Sequence, residues 1–193
     1  SVEKSTKLAH KYLYDLKHSG AVLAWKYFHP NKKSPTLLKY IEDVDIWNMK
    51  LSNTREFIAS LETYKLDFFL WNKIAKNWDS AAGRKRYLEE GRAILKYQNV
   101  LVKKAIKDAE EVKFFGHRAL AVNFTLALNS EIGDAMRKKG FPLGIIWQRR
   151  DGRLIVSLRS TDKIDSSKIA MRFGGGGHKK ASAFRLASKE KLQ

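Results

Sequence analysis

The stretch 143–160, LGIIWQRRDGRLIVSLRS, decides how the C-terminal half of this chain folds. Leu143 to Gln148 and Leu154 to Arg159 are short strand patterns, and Asp151-Gly152 between them is the dipeptide a tight hairpin needs, since both central turn residues take positive φ. Outward from this hairpin the periodicity alternates. His117 to Thr125 reads as a strand and Ser130 to Lys139 as a helix before it, and Ser166 to Phe173 reads as a helix and Ala181 to Leu186 as a strand after it. The β-α-β-β-α-β order predicts an α/β domain over residues 113–193, built on a mixed sheet.

Between the last predicted helix and strand lie Gly174, Gly175, Gly176, Gly177 and His178. Consecutive glycines expose backbone N–H groups with no Cβ to hold a ligand away, so the run is a candidate phosphate cradle. Lys179 and Lys180 place His178 in a positive field, which suits donation to a phosphate better than capture of a metal ion. One helix upstream, Val156-Ser157-Leu158-Arg159 alternates so that Ser157 and Arg159 share a strand face. Arg159 is the stronger candidate of the two, because its planar fork grips two phosphate oxygens at once.

Residues 1–56 combine a helical stretch (Ala21 to Phe28), turn signals at Pro30, Asn31, Ser34 and Pro35, and the segment Ile41 to Trp47. They hold too few apolar positions to close a core alone. Residues 57–112 read as helical throughout, with one amphipathic stretch from Ile58 to Trp78 and a second from Tyr87 to Ala109 at the spacing of a buried helical face. The opposite face of the second carries Arg84, Lys85, Arg86, Arg92, Lys96, Lys103, Lys104 and Lys107, in the manner of a solvated connector. Asp43 and Asp45, one residue apart, are carboxylates of the kind that hold Mn²⁺ or Mg²⁺.

Composition narrows the partner. With 193 residues, 44% of them hydrophobic, the chain can bury one good core or two small ones. A formal charge of +18 points to a polyanion, with nucleic acid ahead of an acidic protein surface or an anionic membrane. The positive excess is densest at the C-terminal end, where residues 111–193 hold 17 basic and 7 acidic side chains. The absence of cysteine excludes disulfides and thiolate metal sites, and fits an intracellular compartment, cytoplasm or an organelle matrix such as the mitochondrial one. No apolar run reaches membrane-spanning length, so no membrane insertion is expected, and no membrane partner is favoured over nucleic acid.

Arg159-Ser160, Ile169-Ala170 and Phe173-Gly-Gly-Gly-Gly-His178, followed by Ala181 and Phe184, resemble the signature of the DHHA1 domain, the substrate-binding half of the DHH phosphoesterases. The run His18 to Trp25, followed by Tyr40 to Trp47, is similar to the closing segment of the catalytic DHH domain in oligoribonuclease-like and phosphohydrolase-like members. The resemblance implies a partial DHH domain over residues 1–56, a helical connector over 57–112, and a DHHA1-like domain over 113–193. It implies hydrolysis of phosphodiester or phosphoanhydride bonds with two divalent ions, usually Mn²⁺, held by the first domain. It places Arg159, Ser160, Gly174 to Gly177 and His178 against the substrate phosphate, and Asp43 where the last aspartate ligand is expected.

The departures from that pattern bear on activity. The chain contains no Asp-His-His triplet and no adjacent histidines, and Ala181-Ser-Ala-Phe184 stands where the commoner form is Ala-Ala-Gly-Phe. The expectation is a chain that starts inside the catalytic domain, lacks most of the metal site and is inactive alone, either because the residues before it are not part of this chain or because the protein has lost them, with Mn²⁺ or Mg²⁺ belonging to the complete family member. Two functions follow. One is a phosphoesterase portion that binds RNA or a small nucleotide for metal-dependent hydrolysis, and the other is an inactive, basic RNA-binding subunit of a ribonucleoprotein complex.

Overall fold

A computed structural model of the chain describes residues 13–15, 17–125 and 127–187, and the early histidine His10 lies outside them. The chain divides into two compact units, residues 1–97 and 98–193.

The first unit is helical. Helix α1 (Gly20–Phe28) starts where the Ser19 hydroxyl accepts the Val22 N–H, and α2 (Thr36–Asp45) follows the Pro30 to Pro35 turn region. The amphipathic stretch expected to be continuous from Ile58 to Trp78 is two helices, α3 (Thr54–Leu61) and α4 (Phe68–Asp79). The break has identifiable causes. Thr63 donates its hydroxyl to the Ser60 carbonyl at 2.7 Å, Asp67 caps the new helix through the Leu70 N–H, and the Trp71 indole donates to the Lys65 carbonyl at 2.9 Å. Helix α5 (Ala81–Lys107) is the long one. The unit's core is aromatic: Phe57 stacks on Trp78 with ring centroids 3.6 Å apart, and Tyr40 meets both rings edge-on. Gly91 lets α5 approach α3, since a Cβ there would come within 2.8 Å of the Glu56 Cα.

The second unit is a six-stranded mixed sheet in the order β1-β2-β3-β4-β6-β5, where β1 is Glu110–Phe114, β2 His117–Asn123, β3 Leu143–Arg150, β4 Arg153–Ser160, β5 Gly176–His178 and β6 Ala181–Ala187. Helix α6 (Asn129–Lys138) makes the crossover between the parallel pair β2 and β3, and α7 (Ser166–Met171) links β4 to β5. The Asp151-Gly152 hairpin forms as expected, with φ of 51° and 68°. Two strands join the expected set, and both are edges. β1 is charged at three of its five positions, and β5 is two glycines and a histidine, so neither shows apolar alternation. Residues 110 and 111, read as the end of a helix, belong to β1.

The sheet has two differently covered faces. On one, Val156, Leu158 and Phe184 pack under Ile169 and Ala170 of α7. On the other, Leu120, Val122 and Ile146 are covered by Ile132 and Met136 of α6 and by Val102 and Ala105 at the end of α5. Ser157 and Arg159 lie on this second face by alternation.

Candidate phosphate-binding face

The register brings the two strongest candidates into line. Arg159 of β4 pairs with Ala181 of β6, which pairs with His178 of β5, so all three side chains leave the sheet on the same side. Two strand spacings separate Arg159 from His178, about 10 Å across the sheet. The next row along is Ser157, Ala183 and Gly176. Helix α6 covers this face only as far as β4. Beyond it Ala183, Arg185, Gly176 and His178 are exposed, and they form a half-face floored by small residues and rimmed by cations.

Arg159 is held in place rather than waving in solvent. Its stem lies across Gly133 of α6, where a Cβ would come within 2.5 Å of the Arg159 Cβ. Its Nη1 donates to the Leu158 carbonyl at 3.0 Å. Burial, then the charge of Arg137, pull its pKa down, and Glu131 opposes them. No carboxylate forms an ion pair with it among the described residues, whereas Arg137 is paired with Asp134 at 3.3 Å. A guanidinium partly stripped of water and set near another cation lacks counter-charge, and an anion on the open face would supply it.

The glycine run divides by role. Gly174, at φ 71°, closes α7, and the N–H groups of Gly174 and Gly175 donate to the Met171 and Ala170 carbonyls at 3.1 and 2.9 Å. Two of the amides expected to face a phosphate are therefore already engaged. Gly175 passes against β6, where a Cβ would lie 2.7 Å from the Phe184 Cα, and Gly177 sits at φ 136°. Gly176 is different. A Cβ there would meet nothing within 4 Å, and its position opens onto the same face as Arg159 and His178.

Ser160 is corrected. It stands on the opposite face from Arg159, fully buried, and its hydroxyl is within hydrogen-bonding distance of the Ile164 and Lys179 carbonyls at 2.9 and 3.1 Å. Ser166 donates to the same Lys179 carbonyl through its N–H at 2.8 Å and its hydroxyl at 3.0 Å. These serines clamp the Lys179-Lys180 turn and so fix His178, but a phosphate on the open face cannot touch them. Asn129 and Arg185 were not singled out from sequence. Asn129 donates to the Ser157 hydroxyl at 3.3 Å, and Arg185 is exposed opposite Ile155 in the register. Alternation within β6, which puts Arg185 on the same side as Ala181 and Ala183, is the signal that finds it.

Asp43 lies in the first unit and holds a loop. Its Oδ1 accepts the Lys50 N–H at 2.9 Å, and its Oδ2 accepts the Leu51 N–H at 3.1 Å and the Thr54 hydroxyl at 2.7 Å. Burial raises its pKa, but the Thr54 hydroxyl, the two N–H groups and the Lys50 charge outweigh that and hold it below the ordinary 3.8. Folding therefore gains stability from the ionised Asp43 above pH 3.8, and loses it as the pH falls through the lower folded value. Asp43→Asn is expected to lower stability at pH 7 by about 1–2 kcal/mol and to flatten the acid limb of a stability-against-pH curve from chemical denaturation. An unchanged acid limb would contradict this role. Glu42 is committed too, accepting the Ser19 N–H at 2.9 Å and facing His18 Nδ1 at 3.1 Å. Among the described residues no three His, Asp or Glu side chains stand together as a metal site, so these residues do not fit the two-metal centre that the resemblance implies.

Comparison with known proteins accords with this architecture. Residues 125–193 match the family model of the DHHA1 domain. An uncharacterized protein of Acanthamoeba polyphaga mimivirus is 33% identical over 181 residues, covering 88% of this chain and 41% of the viral protein. The chain thus spans about two fifths of that relative's length. A DHH domain from a member of the S1p family of ribosomal proteins shares the fold at TM-score 0.55 and 14% identity, over 82% of this chain and 44% of the other. A pGpG-specific phosphodiesterase from Vibrio cholerae aligns over 88% of this chain and 68% of its own, at TM-score 0.49 and 12% identity. Among the described residues no helix is long and apolar enough to cross a membrane. With the glycine-histidine motif, the mixed sheet and the matched residues in agreement, residues 125–193 of this chain form a DHHA1 domain.

Proposed function

We propose that the open half-face binds the phosphate of a nucleotide or a short RNA, as the substrate-holding part of a DHH/DHHA1-type phosphoesterase. The observation that carries this is Arg159, a half-buried guanidinium near Arg137 and without an ion-pair partner among the described residues. Gly176 supports it. Its missing side chain answers no packing need, so the bare backbone on that row is open to a ligand. In this reading Arg159 grips two phosphate oxygens, His178 donates from across the sheet, and the small floor of Ala181 and Ala183 admits the sugar or base.

The test is binding and turnover by the chain of residues 1–193. A fluorescent diribonucleotide should bind saturably, and inorganic phosphate should compete with it. Hydrolysis in Mn²⁺ should be absent, because Glu42 and Asp43 are spent on structural contacts. Substantial turnover by this chain would contradict the account. The charge of +18, together with the lack of a metal-holding group among the described residues, favours a second reading, an inactive RNA-binding subunit of a ribonucleoprotein. That function requires RNA affinity that falls steeply with salt, and a flat dependence excludes it.

A further inference from the structure

The first half of α5 carries an open depression between side chains that the sheet face does not use. Ala81, Arg84, Lys85, Leu88 and Arg92 line it, around a volume of about 320 Å³. Arg84 is fixed at its wall, with Nε donating to the Trp78 carbonyl at 3.2 Å and the guanidinium 5.6 Å from the Trp78 ring centre. Its remaining donors, and the side chains of Arg92 and Lys96, have no ion pair among the described residues. The neighbouring acid, Glu89, is 3.9 Å from Lys85 with both side chains exposed, a contact that neutralises little. Arg86 faces elsewhere, bonded to Glu90 at 2.9 Å.

Arg84, Leu88, Arg92 and Lys96 follow one another every fourth residue along α5, so the cations stand about 12 Å apart across Leu88 and about 6 Å apart from Arg92 to Lys96. The shorter interval is comparable to the separation of successive phosphates in a nucleic-acid strand, and the longer to twice it. Cations at this spacing exclude a basic partner. Ala81 and the half-buried Leu88 lie between them as an apolar surface on which the bases of a strand can rest. We propose that the first half of α5 is a second track, one that takes the backbone of single-stranded RNA. The track does not depend on the sheet-face reading, because it lies in the other unit and uses none of its residues.

The double reversal Arg92→Glu with Lys96→Glu tests it, since both side chains are exposed. Anisotropy titrations of the whole chain would use a twelve-nucleotide oligouridylate and diuridylate, at several salt concentrations. The reversal should weaken twelve-mer binding at least tenfold and make its log–log salt slope shallower by about 1.4, or 0.7 per lost phosphate contact. Diuridylate binding should not change. The pair Arg92→Lys with Lys96→Arg should keep the wild-type slope. An unchanged twelve-mer affinity and slope overturns the proposal. So does a reversal that spares the twelve-mer but abolishes binding to phosphatidylserine vesicles or polyglutamate. A twelve-mer result as expected, with no diuridylate binding by the wild type, would remove the sheet-face reading and leave this track standing.

Discussion

Gly175→Ala is expected to destabilise the second unit by about 3 kcal/mol, at the upper end for an overpacked core, and to abolish nucleotide binding with it. The added methyl would fall 2.7 Å from the Phe184 Cα and 2.6 Å from the Phe184 Cβ, atoms of a strand backbone and of the root of a buried side chain. Neither can move alone. Phe184 is stacked on Phe173 with centroids 4.3 Å apart and lies within the core under α7. The strain is therefore relieved only by lifting β5 away from β6. His178 then leaves its row with Ala181 and Arg159, so one substitution links packing to binding. Gly176→Ala is the matched control. It has open space at the Cβ, should leave the melting temperature nearly unchanged, and should still weaken binding if a ligand lies over that position. Equal stability losses for the two substitutions, measured by denaturant unfolding, would contradict this division of the glycine run.

Arg159→Ala is expected to weaken binding of a diribonucleotide roughly a hundredfold, about 2–3 kcal/mol, as loss of charge-assisted hydrogen bonds to a phosphate implies. The fold should tolerate it. The guanidinium makes one described hydrogen bond, to the Leu158 carbonyl, and its removal relieves the unfavourable approach to Arg137. Arg159→Lys should recover only part of the affinity, because an ammonium cannot present the two-pronged fork. A variant that bound as tightly as the wild type would remove Arg159 from the site.

What could be read in advance follows the strength of the local signal. The β3–β4 hairpin was legible because Asp151-Gly152 forces its turn and the flanking residues alternate cleanly. From that register alone Arg159 could be assigned to a face. Ser160 could not be excluded from the site, because whether a strand's terminal serine faces solvent or a neighbouring turn depends on α7 and the Lys179 carbonyl, both distant in sequence. The glycines looked equivalent because glycine has no side chain to betray its role. Only the tertiary neighbours separate Gly174, a helix stop, and Gly175, a close contact, from the unencumbered Gly176. Asp43 misled for a related reason. A carboxylate that caps a loop and one that holds a metal have the same sequence, and the distinction rests on Thr54 and the N–H groups of Lys50 and Leu51. The break between α3 and α4 escaped because Phe68 and Phe69 continue the apolar pattern although both are exposed.

The central claim is that the uncovered half-face over β4, β6 and β5 receives the phosphate. Amide chemical-shift mapping of the isotopically labelled chain during titration with a diribonucleotide tests it most directly. The account predicts saturable shifts centred on Gly176, Gly177, His178, Ala181 and Ala183, with the Arg159 side-chain Nε–H moving in parallel. Shifts confined to the opposite face, around Ser166 to Ala170, or to the first unit alone would contradict it.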